Sequence, residues 1–247
     1  MTELEALRAE LDQLRKENSA LQKFVYVASH DLQAPLRSVR GFLQLLERRY
    51  GESLDDDACE FIEMAKSSSE QMQSLIAKLL QWSRLDTRAA TPVAVDMVSV
   101  LKKQLDLSGG EDRLGRDISF NVAGSAPKVV MDPGHAAQFF DHLLENSRDY
   151  VAPDRALLIT LSCGASPDGR ARFALTDNGR GIAEEYLEKV CQPFFRGAAA
   201  EGENSGSGLG LALCQRIIDI YGGELRIHSD GESGTTVEWL LPVQDKQ

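Results

Sequence analysis

Apolar residues recur in alternating steps of three and four over the first 28 residues of the chain. They are Leu4, Leu7, Leu11, Leu14, Leu21, Val25 and Ala28. This spacing is the a/d pattern of a coiled coil, and only Asn18 interrupts it. A single polar residue at an a position favours two strands in one register, so the pattern predicts a parallel homodimer.

The same frame continues beyond residue 28 and predicts one helix from about residue 3 to Tyr50, ended by Gly51. Ser53, with Asp56 three residues later, predicts the N-cap of a second helix. The apolar stripe of that helix comprises Ala58, Ile62, Ala65, Met72, Ile76, Leu79 and Leu80. Two antiparallel helices cannot bury both stripes alone, so a second copy of the hairpin is predicted to complete a four-helix bundle.

Composition narrows the possible functions of the chain. Its net charge of -11 argues against a nucleic-acid partner, which would need a basic face. The charged N-terminus is unlike a signal peptide, and no apolar run approaches the roughly 18 residues of a membrane span, so a cytoplasmic chain is expected. The four cysteines lie far apart, which predicts buried reduced thiols rather than a zinc site or disulfides.

The periodicity changes after the second helix. The segment Asp86 to Pro92 predicts a linker. Beyond it, six segments read as strands: DISFNVA, KVVMD, LLITLSC, ARFALTD, ELRIHS and TTVEWLLP. Helices are predicted from Pro133 to Asp149 and from Leu209 to Tyr221. The predicted fold class is therefore multidomain α and α+β, in which a helical hairpin precedes an α/β sandwich with helices on one face of its sheet.

The segment VASHDLQAPLR places a histidine and an aspartate side by side in the first helix. In the heptad frame His30 falls at f, which points away from the a/d seam. A lone exposed histidine is often only a surface residue. However, Asp31 could hold one ring nitrogen protonated and leave the other as a nucleophile. Pro35 removes a backbone donor, so we expect a bend that makes His30 accessible.

Motifs suited to a nucleotide follow in the second half. HLLENSRDY carries Asn146, a neutral oxygen ligand suited to a magnesium ion that already binds phosphate. TDNGRGI places Asp177 at a strand end, where a carboxylate can accept a hydrogen bond from an exocyclic amine. Gly179 and Gly181 follow it and would let the backbone approach a flat base.

Two further motifs, QPFFRG and GSGLGLALC, flank a small polar stretch that predicts a mobile lid. Gly206, Gly208 and Gly210 open a helix, whose N-terminus can bind phosphate through backbone N–H groups. A dinucleotide-binding fold is excluded because its glycines would follow the first strand of a βαβ unit. A Walker motif is excluded because no GK[ST] occurs.

These motifs together resemble those of the two-component sensor histidine kinases over about residues 20 to 243. SHDLQAPLR is similar to the H box of the phytochrome-like branch. LLENSRDY resembles the N box, DNGRGI and GSGLGL the two G boxes, and PFFRG the F box. The resemblance implies a coiled-coil signalling helix at 1–23, a dimerisation and histidine phosphotransfer domain at 24–88 and a catalytic ATP-binding domain at 89–247.

The resemblance also implies roles for individual residues. His30 would attack the γ-phosphate of ATP, Asp31 would orient or deprotonate it, and Asn146 would bind Mg2+. The adenine would be bound by Asp177 and Thr236, with Tyr150 stacked on it, and the phosphates by the three glycines of the last motif. The phosphoryl group would pass to a response-regulator receiver domain, and the coiled coil would connect to an upstream sensor domain or protein.

Three positions depart from the family pattern. His142 replaces a common asparagine, and Asp149 replaces a phosphate-binding lysine. Ala34 replaces the Thr or Asn that positions a hydrolytic water, so feeble phosphatase activity is expected. His142 and Asp149 keep open the alternative of a pseudokinase or phosphotransfer scaffold with little ATP turnover. A related ATPase is a third alternative, but the chain lacks a glutamate base at position 142, and His30 would be unexplained.

Overall fold

The computed structural model describes residues 3–85, 91–107, 109–111, 115–125, 127–152, 154–197 and 206–243. The chain divides into two compact units, residues 1–88 and residues 89–247. Most of the predicted linker, residues 86–90, lies outside the described residues.

The first unit is a hairpin of two long helices. Helix α1 spans Glu3–Tyr50, a 3-10 turn spans Gly51–Ser53, and helix α2 spans Asp56–Arg84. The prediction of one helix ending at Tyr50 is confirmed. Helix α1 continues through Pro35, and the bend expected there stays a prediction. The boundary predicted between residues 23 and 24 falls inside this continuous helix.

The predicted start of α2 is wrong by two residues. The N-cap is Asp55, whose carboxylate accepts a hydrogen bond from the Ala58 N–H at 2.8 Å. The Ser53 hydroxyl instead donates to the Tyr50 carbonyl at 2.8 Å. The 3-10 turn after Tyr50 uses Ser53 to close itself, so the helix begins later than the Ser-x-x-Asp pattern indicates.

Helices α1 and α2 run antiparallel but bury few apolar side chains against each other. Among the described side chains of the two helices, Ile76 is the only buried apolar one. The exposed large apolar residues include Leu7, Leu11, Leu14, Leu21, Phe24, Val27, Leu32, Val39, Phe42, Leu45, Leu46, Phe61, Met64 and Met72. The hairpin of one chain therefore leaves its apolar stripes open to water, as the heptad pattern predicts.

The second unit is built on a five-stranded mixed sheet. Its elements are β1 (Val93–Val95), α3 (Met97–Leu107), β2 (Ser119–Gly124), β3 (Val129–Met131), α4 (Pro133–Asp149), β4 (Leu158–Ala165), β5 (Ala171–Asp177), α5 (Gly210–Ile220), β6 (Glu224–Ser229) and β7 (Thr235–Leu241). The strand order is β2-β4-β5-β7-β6, in which only β2 and β4 are parallel. Strands β1 and β3 form a separate antiparallel pair.

Helix α4 packs against α3 and α5 and covers one face of this sheet. The centre of the core is Trp239, whose ring stacks on Phe173 at 5.4 Å between ring centroids. Phe139 and Phe140 of α4 meet the Trp239 ring edge-on at 4.8 and 5.9 Å. The opposite face carries polar residues such as the Arg172–Glu238 ion pair. The predicted α/β sandwich with helices on one face is confirmed.

All six predicted strands and both predicted helices of this unit are present. Strand β1 and helix α3 were not predicted. The four cysteines form no disulfide, but Cys59 is exposed and only Cys214 is fully buried, so the prediction of four buried thiols is wrong.

Candidate functional site

His30 lies on α1 with 67% of its side chain exposed. Its Nδ1 is 3.2 Å from the Asp31 carboxylate, which is 72% exposed. Among the described residues, no group hydrogen-bonds Nε2. If Nδ1 donates its proton to Asp31, Nε2 carries the lone pair and faces solvent. The pair therefore has the geometry of an exposed nitrogen nucleophile.

The second site is centred on Asp177, at the end of β5. One carboxylate oxygen accepts hydrogen bonds from the N–H groups of Gly179 at 2.9 Å and Thr235 at 3.1 Å. The other accepts a hydrogen bond from the buried Ser147 hydroxyl at 3.3 Å. Burial raises the pKa of Asp177, and these three hydrogen bonds partly oppose the increase. The carboxylate is thus held in one orientation with acceptor capacity remaining.

The structure does not bring Thr236 to Asp177. Successive residues of β7 face opposite sides of the sheet, and the Thr236 hydroxyl lies 2.9 Å from that of Thr176 on the side away from the helices. Thr235 occupies the position beside Asp177 instead. Thr235, rather than Thr236, therefore lies on the same side of the sheet as the Asp177 carboxylate.

Two glycines allow the backbone to close around Asp177. A Cβ on Gly179 would lie 2.9 Å from the Asp177 carboxylate and 3.0 Å from the Tyr150 carbonyl oxygen. Gly234, which lies outside the glycine motifs, has φ of +125°, and a Cβ there would lie 2.0 Å from the Asp177 carbonyl oxygen. Gly181 lies next to the turn between β6 and β7, since a Cβ added to it would lie 2.8 Å from the backbone nitrogen of Glu232. Only glycine fits such close backbone approaches.

Asn146 lies beside the first turn of α5. A Cβ on Gly210, the first residue of that helix, would lie 3.2 Å from the Asn146 amide oxygen. Leu209 precedes the helix and gives it no side-chain cap. The first N–H groups of α5 and the Asn146 oxygen are therefore close together, an arrangement suited to an anion with its metal ion.

The end of α4 forms the other side of this region. Tyr150 follows α4 and is half-buried, and burial, followed by the charge of Asp149, raises the pKa of its hydroxyl. Asp149 itself lies near the glycine loop, because a Cβ on Gly206 would be 3.6 Å from its carboxylate. Asp149, which stands where the family pattern has a lysine, thus places a negative charge next to the predicted phosphate loop.

The F-box segment is tied to the last glycine motif. The Phe194 N–H donates to the Gly208 carbonyl at 2.9 Å. Gly208 has φ of +69°, and a Cβ there would lie 2.7 Å from the Phe195 carbonyl oxygen. Phe194 also has a positive φ, +66°, which is uncommon for a residue with a side chain. Residues 198–205 of the predicted lid lie outside the described residues.

His142 is buried, with 5% of its surface exposed. Neither ring nitrogen has a hydrogen-bond partner among the described residues, and a carboxylate oxygen of Glu145 lies 4.0 Å from Nδ1. It lies one helical turn before Asn146 on α4. The substitution of histidine for asparagine here thus leaves a polar ring unsatisfied in the interior.

The described residues contain no cluster of three or more His, Cys, Asp or Glu side chains that could hold a metal ion. An ion at Asn146 would take its other ligands from a bound phosphate and from water. Among the described residues, none of the helices combines the length and the apolar character that crossing a bilayer requires.

Both units match known families. Residues 131–245 match the model described as Histidine kinase-, DNA gyrase B-, and HSP90-like ATPase. Residues 20–88 match the model described as His Kinase A (phospho-acceptor) domain. The two matches together cover both candidate sites.

Several curated proteins are similar over nearly all of this chain. Phytochrome-like protein Cph1 of Synechocystis sp. is 35% identical over 231 residues, which are 93% of this chain and 30% of Cph1. Methanogenesis regulatory histidine kinase FilI of Methanothrix harundinacea is 30% identical over 239 residues, which are 96% of this chain and 26% of FilI. The chain thus spans less than a third of the length of these relatives.

Solved structures share the fold. Full-length ShkA, determined in complex with AMPPNP, has a TM-score of 0.65 at 22% identity and covers 90% of this chain and 46% of ShkA. The Acinetobacter baumannii histidine kinase AdeS has a TM-score of 0.57 at 18% identity and covers 87% of this chain and 98% of AdeS.

Proposed function

This chain belongs to the two-component sensor histidine kinases, and from that premise we propose that it phosphorylates His30 with ATP. The observation that carries the proposal is the His30 imidazole, largely exposed and hydrogen-bonded through Nδ1 to Asp31. We propose that the phosphoryl group then passes to an aspartate of a response-regulator receiver domain. An exposed nucleophile can meet first a nucleotide and then a second protein.

The transfer is an in-line displacement at phosphorus. The Nε2 lone pair of His30 forms the new bond to the γ-phosphorus, the bond from that phosphorus to the bridging oxygen breaks, and ADP leaves with the bond's electrons. The Nδ1 proton stays in its hydrogen bond to Asp31, whose negative charge offsets the positive charge that the ring acquires. Asp31 therefore both orients the ring and stabilises the product.

ATP would be bound by the groups around Asp177. The carboxylate would accept a hydrogen bond from the adenine amine, with Thr235 in the role first assigned to Thr236, and Tyr150 would stack on the base. Gly179 and Gly181 would let the backbone close on the base.

The phosphates would lie against the loop from Gly206 through Gly208 to Gly210, where α5 begins without a side-chain cap. Asn146 would hold Mg2+ through its amide oxygen, and the remaining ligands would come from phosphate oxygens and water. The ion supplies positive charge that offsets the phosphates when it is bound. The position of Asn146 beside Gly210 fits this role.

We also propose that two chains form a parallel homodimer whose paired hairpins make a four-helix bundle. Support comes from the exposed apolar residues of α1 and α2, whose burial would stabilise the pair by about 25 cal/mol for each Å2 of apolar surface removed from water. The N-terminal part of α1 would carry a signal from an upstream sensor domain or protein. A small rotation of the paired helices would change how His30 is presented.

The test is incubation with γ-labelled ATP and Mg2+, followed by acid treatment of the labelled protein. We expect acid-labile label in the wild type and in His228→Gln, and none in His30→Gln. His228 is the matched control because it is exposed, whereas His135 and His142 are buried. Label that persists in His30→Gln would refute the assignment of His30. No label on the wild type would favour the phosphotransfer scaffold.

A further inference from the structure

Tyr26 packs on His30 from one helical turn below it on α1. The two rings are stacked, with centroids 6.5 Å apart and an angle of 25° between their planes. Side chains four residues apart lie on the same face of a helix, so this contact follows from the sequence spacing. The distance is within the range of favourable aromatic pairs.

Arg84 fixes Tyr26 from the other helix of the hairpin. Its guanidinium donates a hydrogen bond to the Tyr26 hydroxyl at 2.9 Å, and its central carbon lies 4.8 Å from the centre of the Tyr26 ring. A guanidinium over a tyrosine ring attracts it by a cation–π interaction. Tyr26 is therefore held at both its ring face and its hydroxyl, while His30 has 67% of its side chain exposed.

The imidazole needs more than one contact to point Nε2 in a fixed direction. The hydrogen bond from Nδ1 to Asp31 fixes one atom of the ring, but the ring plane can still turn about that contact. A second contact to the ring face restricts this rotation. The chain supplies that contact through Tyr26, and Arg84 keeps Tyr26 from moving away with the imidazole.

We propose that Tyr26 is a positioning residue for phosphorylation of His30 and that Arg84 is its anchor. The proposal rests on the proposed phosphorylation of His30. Tyr26 acts through the orientation of the imidazole, so its loss slows the transfer step and leaves ATP binding unchanged. Arg84 acts through Tyr26, so its effect disappears once Tyr26 is absent.

The first experiment measures the phosphorylation rate of the full chain at increasing ATP concentrations. We expect Tyr26→Leu to lower the maximal rate by about tenfold or more, because a misplacement of about 1 Å can cost on the order of a hundredfold. The ATP concentration for half-maximal rate should not change. Tyr26→Phe keeps the ring and should retain most of the rate. A wild-type maximal rate in Tyr26→Leu would overturn the proposal.

Tyr50→Leu is the matched control. Tyr50 is also on α1, and the guanidinium of Arg49 lies 5.7 Å from its ring centre, but Tyr50 is 20 residues from His30 in sequence. We expect the Tyr50→Leu variant to be phosphorylated on His30 at the wild-type rate. An equal loss of rate in Tyr50→Leu and Tyr26→Leu would show a general effect on the hairpin and would overturn the proposed positioning role.

The anchor is tested by a double-mutant cycle. Arg84→Gln should lower the maximal rate severalfold in the wild type and should have no further effect in Tyr26→Leu. The same loss in both backgrounds would overturn the role of Arg84 as an anchor of Tyr26. If Tyr26→Leu does not fold, Arg84→Gln is measured alone and with Tyr26→Phe, which removes the hydrogen bond but keeps a ring beside the guanidinium. A smaller loss of rate is then expected in the Tyr26→Phe background, and an undiminished loss there would overturn the role of Arg84 as an anchor.

A measurement without ATP separates this proposal from the proposed function. Carbon-13 relaxation of the His30 ring should show a more mobile imidazole in Tyr26→Leu than in the wild type or Tyr50→Leu. Unchanged ring mobility in Tyr26→Leu would overturn the positioning role even if the rate fell. If the wild type acquires no phosphoryl label but the His30 ring is more mobile in Tyr26→Leu, the kinase activity is refuted while the positioning contact between Tyr26 and His30 is retained.

Discussion

Replacing Gly208 by alanine tests the connection between the F-box segment and the last glycine motif. A Cβ at Gly208 would lie 2.7 Å from the Phe195 carbonyl oxygen, whereas ordinary contact begins at 3.4 Å. The two segments must therefore move apart by 0.7 Å, the difference between 3.4 and 2.7 Å. This movement would weaken the hydrogen bond from the Phe194 N–H to the Gly208 carbonyl.

The chain contains a matched control for the backbone strain. Gly169, in the turn between β4 and β5, has φ of +85°, and a Cβ there would meet nothing within 4 Å. Alanine in a left-handed conformation costs roughly 1–2 kcal/mol at either glycine. The overlap and the weakened hydrogen bond arise only at Gly208, and a hydrogen bond contributes about 0.5–1.5 kcal/mol.

We expect both Gly169→Ala and Gly208→Ala to lower the free energy of unfolding, because the backbone strain is similar at the two positions. Gly208→Ala should lower it further because of the overlap with Phe195 and the weakened hydrogen bond. Only Gly208→Ala should weaken ATP binding, by about tenfold or ~1.4 kcal/mol, because it displaces the loop proposed to hold the phosphates. Calorimetry with a non-hydrolysable ATP analogue and Mg2+, together with denaturant unfolding, measures both effects. Equal ATP affinities in the two variants would refute the reasoning.

Three further changes have expected outcomes. His142→Leu should raise the free energy of unfolding by about 1 kcal/mol in a denaturant titration, because it removes buried ring nitrogens that lack hydrogen-bond partners among the described residues. Asp149→Asn should tighten binding of the ATP analogue severalfold by calorimetry, because it removes a negative charge beside the glycine loop. Asp132, the N-cap of α4, is stabilised as a carboxylate: burial raises its pKa, but hydrogen bonds from backbone N–H groups outweigh this and lower it. Its charge therefore contributes stability above its unfolded pKa of 3.8 that is lost as pH falls through the lower folded pKa. Asp132→Asn keeps a side-chain cap on α4 but removes the charge. The difference in free energy of unfolding between the wild type and this variant should therefore disappear as pH falls through the same range.

The sequence patterns predicted elements that have enough residues to show their period. Strand β5 was predicted with its observed bounds because ARFALTD has enough residues to show a partial alternation of apolar and polar side chains, interrupted at Ala174. Strand β1 has only three residues, too few for an alternation to be recognised. Helix α3 had a local signal, since Asp96 accepts hydrogen bonds from the Val98 and Ser99 N–H groups as an N-cap does, but no helix was predicted there.

The site residues that were missed depend on contacts between distant parts of the chain. In GTTVEW two threonines follow each other, and only the register of β7 against β5 shows that Thr235 faces Asp177 while Thr236 faces away. Gly234 shows its importance only through the 2.0 Å approach of a Cβ to the Asp177 carbonyl oxygen. Tyr26 has a helical spacing to His30 that the sequence displays, but its link to Arg84 requires the pairing of the two helices.

The two units should differ in how their stability depends on protein concentration. The unit of residues 89–247 buries its own core around Trp239, whereas the hairpin of one chain leaves most of its large apolar residues exposed, and the proposed dimer would cover them. Unfolding of a unit that is stable only as a dimer depends on concentration, and unfolding of a monomeric unit does not.

The two tryptophans separate these transitions, because Trp82 is in α2 and Trp239 is in β7. In Trp239→Phe the fluorescence reports the hairpin, and its denaturant midpoint should rise as protein concentration rises. In Trp82→Phe the fluorescence reports the second unit, and its midpoint should stay constant. A hundredfold rise in protein concentration favours the dimer by on the order of 3 kcal/mol. A hairpin midpoint that does not change over this range of concentration would therefore contradict the proposed four-helix bundle. It would also leave the exposed apolar residues of α1 and α2 without the partner that the heptad pattern predicts.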